Sequence, residues 1–205
     1  MVIQIDDAGT GDLVGPAVIG FRRVETGEIV FKEIGLQHFC EPLWSRKSPT
    51  AETRRIAQET FAEWKIGKEE QIQLCRGNVF DQTREWLKET GYTYLDTLIE
   101  GPLQDAVEQW VVNKLRALGV DDPKLTTQSG KDRFFVLFRW VARNPVEREK
   151  YVKTGFKAWE NKWREKAFEP RKSRENKSNP QSTTRKQPPK STRNQQQQRP
   201  RNPFS

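Results

Sequence analysis

The chain is poor in the residues that build thiolate-metal and disulfide scaffolds: among 205 residues there are two cysteines, one histidine and one methionine. A tetrahedral zinc site needs four Cys or His ligands at short spacing, and Cys40, Cys75 and the lone His38 cannot supply one. Two cysteines in a chain of this length do not make a disulfide framework. No run of about 18 apolar residues occurs, which excludes a membrane-spanning helix. The opening Met1-Val2-Ile3-Gln4-Ile5-Asp6-Asp7 has no basic region followed by an apolar stretch, so no signal peptide is expected and the chain reads as soluble and cytoplasmic. Hydrophobic residues make up only 34%, too few for the whole length to pack.

What charge there is lies unevenly. Residues 169–205 hold ten Lys or Arg against two Glu, while residues 1–168 hold 26 of each sign. The formal net charge of +8 therefore belongs to the C-terminal stretch. That stretch also carries six prolines, six glutamines and a single large apolar residue, Phe204. It cannot bury enough apolar surface to offset the entropy of ordering, so a disordered basic tail over 169–205 is expected behind a folded domain over 1–168. A flexible cationic tail suits sequence-independent attraction to phosphate, although a merely solubilising terminus has the same composition.

Within the body the pattern begins with strands at 2–6, 17–23 and 28–34, the last two flanking the turn Glu25-Thr26-Gly27-Glu28. A helix over 51–66 follows, with Ile56, Thr60 and Trp64 on one face, then a strand at 71–76. A helix over 80–90 closes at Gly91, and a strand is expected over 92–99. The stretch 102–118 is the strongest helix: Pro102 opens it, Leu103, Val107, Val111, Leu115 and Leu118 line one face, and Gly119 ends it. Ser129 caps a helix starting near Lys131, and Pro145 separates that helix from a last amphipathic one ending near Phe168. Strands first, then strands alternating with helices, indicate an α/β body with a mixed sheet.

The chemically informative segment is Ile5-Asp6-Asp7-Ala8-Gly9-Thr10-Gly11-Asp12-Leu13-Val14-Gly15-Pro16. Two adjacent carboxylates leave the first strand and run into a glycine-rich loop, and glycines allow another backbone to come close. Clustered carboxylates without Cys or His are hard oxygen ligands suited to Mg²⁺ or Mn²⁺. Such ions activate water and stabilise the leaving oxygen in phosphodiester hydrolysis.

The pattern Asp-x-Ala-Gly-x-Gly-x-Leu-x-Gly-Pro resembles the N-terminal signature of type 2 ribonucleases H. Asp6, Ala8, Gly9, Gly11, Leu13, Gly15 and Pro16 match that signature, and Asp7 stands in place of its glutamate. The resemblance implies a ribonuclease H-like mixed five-stranded sheet flanked by helices, and a metal-dependent endonuclease acting on nucleic acid, an RNA–DNA hybrid first. It implies four catalytic and metal-binding acids: Asp6 bridging two Mg²⁺ or Mn²⁺ ions, with Asp7, Glu100 and Asp132 completing their shells. Glu100, in Ile99-Glu100-Gly101, departs from the type 2 aspartate and is similar to the Ile-Glu of RuvC-type Holliday-junction resolvases, which makes structured DNA an alternative substrate. Gly9, Thr10, Gly11 and Lys131 are the expected nucleic-acid contacts. Thr10 replaces the arginine with which type 2 enzymes read a ribonucleotide 2′-hydroxyl. A non-catalytic nucleic-acid-binding protein of the same fold is the remaining alternative.

Other groups have plainer readings. Asp105 and Asp81 sit in first helical turns as dipole partners, with Asp105 the reserve ligand, and Asp121 and Asp122 read as solvated loop acids. Cys75 reads as a small buried apolar residue and His38 is given no role. Phe156, Trp159 and Trp163 form a stripe among lysines, read first as core packing and second as a stacking surface for bases. No membrane partner is expected, and the oligomeric state is left open.

Overall fold

A computed structural model of the chain describes residues 1–126 and 129–169; the basic tail expected beyond residue 168 lies, from residue 170 on, outside the described residues. Strands β1 (Val2–Ala8), β2 (Ala17–Arg23), β3 (Ile29–Ile34), β4 (Gln71–Cys75) and β5 (Tyr94–Thr97) form one sheet in the order β3-β2-β1-β4-β5. β2 runs antiparallel to β1 and β3, whereas β4 is parallel to β1 and β5 parallel to β4. The α/β class and the mixed five-stranded sheet expected from the pattern are both present.

Alternation along β1 sorts its side chains to two faces, because successive residues of a strand point to opposite sides. Ile3 and Ile5 join Ala17, Ile19, Ile72 and Leu74 beneath helices α1 (Ser48–Glu63) and α2 (Asp81–Glu89). Ala8 and Val18 pack on the other face with Leu103, Val107 and Val111 of α3 (Pro102–Ala117) and with Val136, Leu137 and Trp140 of α4 (Gly130–Arg143). Both faces are covered, and Ala17–Phe21 of β2 is accordingly buried without a break, whereas β1 and β4 alternate with polar residues. The caps read from the sequence hold: Pro102 opens α3, Gly91 and Gly119 take positive φ after their helices, and Ser129 Oγ accepts the Asp132 amide at the start of α4.

One expected element is different. The last amphipathic helix is not continuous. After α5 (Pro145–Arg148) and a 3₁₀ turn over Glu149–Tyr151, residues 152–155 are not helical, and helix resumes as a single wide turn at Trp159–Trp163 leading into α6 (Arg164–Phe168). The reason is tertiary. Val152 bridges Val14, the Gly15 amide donates to Tyr151 O at 2.9 Å, and the Lys153 amide donates to Leu13 O at 2.9 Å. These bonds tie the loop after β1 to the C-terminal segment, at the expense of helical hydrogen bonds that amphipathic periodicity alone would favour. Within the stripe, Trp159 is fully buried and Trp163 packs on Phe134, Phe135 and Phe138, which is the core reading of these aromatics. Among the described residues no helix is long and apolar enough to cross a membrane.

Candidate functional site

β1 and β4 are parallel neighbours, so their carboxyl ends open on the same side of the sheet, where chain connections diverge and ligands bind in open α/β sheets. The register Ile5↔Leu74 carries on to set Asp6 beside Cys75, the last residue of β4. Asp6 faces α3, with Gly20 of β2 opposite it, while Asp7 pairs with Ile19 and faces the side of α1. Both lie within the last three residues of β1, just ahead of the glycine loop. Ligand atoms of Asp6, Asp7 and Cys75 all lie within 4.8 Å of one another.

The loop that follows is built on glycine for two different reasons. Gly9 has φ +77°, and a Cβ there would stand 3.0 Å from Val111 and 3.1 Å from the Pro16 carbonyl, so the fold itself requires glycine. A Cβ at Gly11 would meet nothing within 4 Å. The space over Gly11 is open to whatever approaches the loop.

Electrostatics set the acids apart from ordinary surface carboxylates. Burial pushes the Asp6 carboxyl up; a hydrogen bond from the Cys75 thiol opposes the shift and the charge of Glu108 adds to it. Burial pushes Asp7 up to about 6, with Thr10 Oγ1 donating to its Oδ2 at 2.7 Å and Asp6 and Glu108 repelling it. Two like charges brought together in a partly dry place both prefer to be neutral, and an added cation reverses that preference. The Cys75 thiol is pushed up to about 12 by burial and by Asp6, so it stays protonated and donates.

A cavity of about 810 Å³ opens beside this pair. Its walls are the glycine loop, Asp7, Asp12, the α3 face bearing Gln104 and Glu108, and Arg133 of α4. Of the acids expected from the sequence, Asp6 and Asp7 are brought together, and Glu100 is exposed on the wall of the same cavity. Asp132 is exposed; the cavity wall near it is formed by its neighbours Gly130 and Arg133, and its amide serves the Ser129 cap. Lys131 is likewise exposed and does not line the cavity, whereas Gly9, Thr10 and Gly11 do.

Three further residues matter that sequence reading passed over. Glu108 points from α3 into the cavity and acts electrostatically on Asp6, Asp7 and Asp12 alike. Its signal was present: Gln104 and Glu108 lie four apart on the flank of the apolar stripe, one helical turn after Glu100 and again after Gln104. Arg133, almost fully buried, bridges Glu108 at 2.6 Å and Asp12 at 2.7 Å. Lys153 is completely buried, donates from Nζ to the Gly9 carbonyl and stands 4.2 Å from the Phe39 ring. Burial lowers it to about 7. No spacing rule links residues 9, 12, 133 and 153, so only folding reveals this cluster.

Comparison with protein-family models gives no match, and comparison with curated proteins gives none. What the site can do is therefore argued from its own chemistry. Asp7 on the wall of a polar cavity and Asp6 beside it offer oxygen donors, which fits a hard divalent ion completed by water and phosphate oxygens better than a fully enclosed ion cage. The protonated thiol of Cys75 is a poor ligand for such an ion and is better suited to orienting Asp6.

Proposed function

We propose that the chain is a divalent-metal-dependent nuclease with a ribonuclease H-like fold, hydrolysing phosphodiester bonds in nucleic acid. The observation that carries this reading is the meeting of the Asp6 and Asp7 carboxylates at the ends of parallel neighbours β1 and β4, both pushed up, beside a cavity floored by a glycine loop. The sheet order, with β2 the single antiparallel strand, supports the same fold reading. Asp6 and Asp7 would hold Mg²⁺ or Mn²⁺; Glu108, whose charge acts on both, and Glu100 line the same cavity. When bound, the ion supplies Lewis-acid polarisation of the phosphate and a nucleophile from water at neutral pH. The chain's own residues do the rest. Thr10 holds Asp7, Cys75 holds Asp6, Lys153 fixes the carbonyl of Gly9, and the open space over Gly11 admits the sugar-phosphate backbone.

For the substrate, an RNA–DNA hybrid follows the motif, and structured DNA is the alternative. Thr10 spends its hydroxyl proton on Asp7, so it cannot replace the missing arginine as a free donor to a 2′-hydroxyl. Arg133 of α4 lines the same cavity, held there by Asp12 and Glu108. A second reading, nucleic-acid binding without cutting, is favoured by one observation: a protonated thiol, Cys75, stands beside Asp6 where a further carboxylate would strengthen an ion site.

The test is cleavage of a labelled panel with Mg²⁺ or Mn²⁺, by wild type and Asp6→Asn in parallel. The panel holds an RNA–DNA hybrid, a duplex with one ribonucleotide, a four-way junction and plain duplex DNA. Metal-dependent cutting lost in the variant is the expected result, and the preferred member names the substrate. Binding without cutting, equal in both proteins, establishes the second reading.

A further inference from the structure

A second cavity, of about 730 Å³, lies on the other flank of the glycine loop, and Thr10 and Gly11 line both cavities. Its chemistry is the reverse of the first. Trp44 and Phe156 line it, packed edge-to-face with ring centroids 5.2 Å apart, and Phe39 stands 6.4 Å from Trp44. Lys47 and Lys157, both exposed, stand on its wall, and its one acid, Glu41, is engaged by the Ser45 amide and hydroxyl at 3.2 and 2.7 Å.

The aromatic wall is held in place from behind. A Cβ on Gly155 would stand 2.3 Å from Trp44 Cγ, so the indole sits directly against backbone, and the Trp44 amide donates to Cys40 O at 2.8 Å. Lys47 takes φ 56° at the start of α1, a left-handed conformation that costs a lysine about 1 kcal/mol. Strain of that kind persists where the surroundings over-determine it, and it fixes where the Lys47 side chain leaves the chain.

The geometry points to a binding site for an unpaired nucleotide of the same strand whose phosphodiester enters the acid cavity. Its base would lie against Trp44 and Phe156, and the flanking phosphates would meet Lys47 and Lys157. Aromatic faces stack any base, and lysines on the rim recognise phosphate through charge. Continuity through Thr10 and Gly11 lets one strand occupy both cavities. This inference rests on the nucleic-acid reading above and adds to it a preference for substrates with an unpaired stretch beside the cut.

The experiment measures binding of the full-length chain in EDTA, so that nothing is cut, to a labelled mixed-sequence single strand, a duplex with a single-stranded overhang and a fully paired duplex. Wild type, Lys157→Glu and Trp44→Leu are compared, each checked by circular dichroism and thermal melting. The basic tail is common to all three proteins and cancels. Lys157→Glu is expected to weaken binding of the first two probes about tenfold and to reduce the salt slope by about 0.7 or more, with little effect on the paired duplex. A single strand carrying 5-iodouracil is expected to photocrosslink to Trp44 or Phe156. Unchanged affinities with crosslinks elsewhere overturn the inference, and if Asp6-dependent cutting persists, the nuclease reading stands without it. No binding to any probe by wild type overturns the inference too, and the nuclease reading is then decided by Asp6-dependent cutting in Mg²⁺.

Discussion

The two cavities that share the glycine loop are opposites in charge. On one side Asp7, Asp12, Glu100, Asp105 and Glu108 outnumber Arg133; on the other, Lys47 and Lys157 accompany three aromatic residues and one engaged acid. A polyanion would be repelled by the first and attracted by the second. A divalent cation reconciles them, because it neutralises the acid wall and attracts phosphate, while the cationic side needs no ion to hold a strand. On the proposed function, the contrast means that affinity and chemistry are separately built, and that each can be broken without the other.

The largest expected effect is on the acid side. Asp6→Asn should lower cleavage by about a hundred- to a thousandfold, the scale of losing one group that stabilises transition-state charge, while affinity for a single strand in EDTA stays within about twofold. Steady-state cleavage and anisotropy on the same preparations check this. A parallel loss of binding would show that the two sides are not separable.

Next in size is Arg133→Met. It leaves Asp12 and Glu108 without their shared partner, and breaking a buried pair from one side costs about 3 kcal/mol, tempered here because burial already favours a protonated Asp12. Denaturant unfolding should show the loss, and Arg133→Met combined with Asp12→Asn should recover part of it. No recovery in the double variant would mean that Arg133 acts mainly through Glu108.

Asp7→Asn should move stability the other way. The folded-state pKa of Asp7 is raised from 3.8 to about 6. Between those values the folded state binds more protons than the unfolded state, so stability falls as pH rises through the window, and the cost persists above it. The variant escapes that cost. In metal-free buffer it should equal wild type near pH 3.5 and exceed it by roughly 1–3 kcal/mol at pH 7, with added Mg²⁺ narrowing the gap by stabilising wild type. A gap independent of pH would remove charge repulsion as the cause.

The smallest effect belongs to the cationic side. Lys47→Gly removes a strained left-handed lysine and should raise stability by about 0.5–1 kcal/mol, yet weaken single-strand binding severalfold. Thermal melting and anisotropy together decide it, and a gain in stability without loss of affinity would take Lys47 out of the binding surface.

Much of the architecture was legible before folding. The spacing of Leu103, Val107, Val111 and Leu115, with Pro102 before and Gly119 after, marks α3 almost to the residue, since period and caps are local properties. The paired acids at the end of β1 and the glycine loop behind them were equally plain. The last helix was misread because its interruption at residues 152–155 comes from hydrogen bonds to residues 13–15, about 140 positions away, which no local pattern encodes. Asp132 and Lys131 were expected at the site from their place at the start of α4, yet only the inward side of that first turn, with Gly130 and Arg133, reaches the cavity.

By itself, then, the amino-acid sequence determined the α/β class, the strand and helix order, and the Asp6-Asp7-glycine segment on which the proposed chemistry rests, because periodicity, capping and turn preference act over a few residues. Tertiary structure alone decided that Cys75 lies beside Asp6, that Glu108 and Arg133 complete the acid cavity, that Lys153 lies buried against the Gly9 carbonyl, and that Trp44 and Phe156 form a second wall. Those partners come from β4, α3, α4, the C-terminal segment and, for Trp44, the connection between β3 and α1. Their proximity depends on sheet order and on the covering of both faces of the sheet, properties of the whole chain that no stretch of it carries alone.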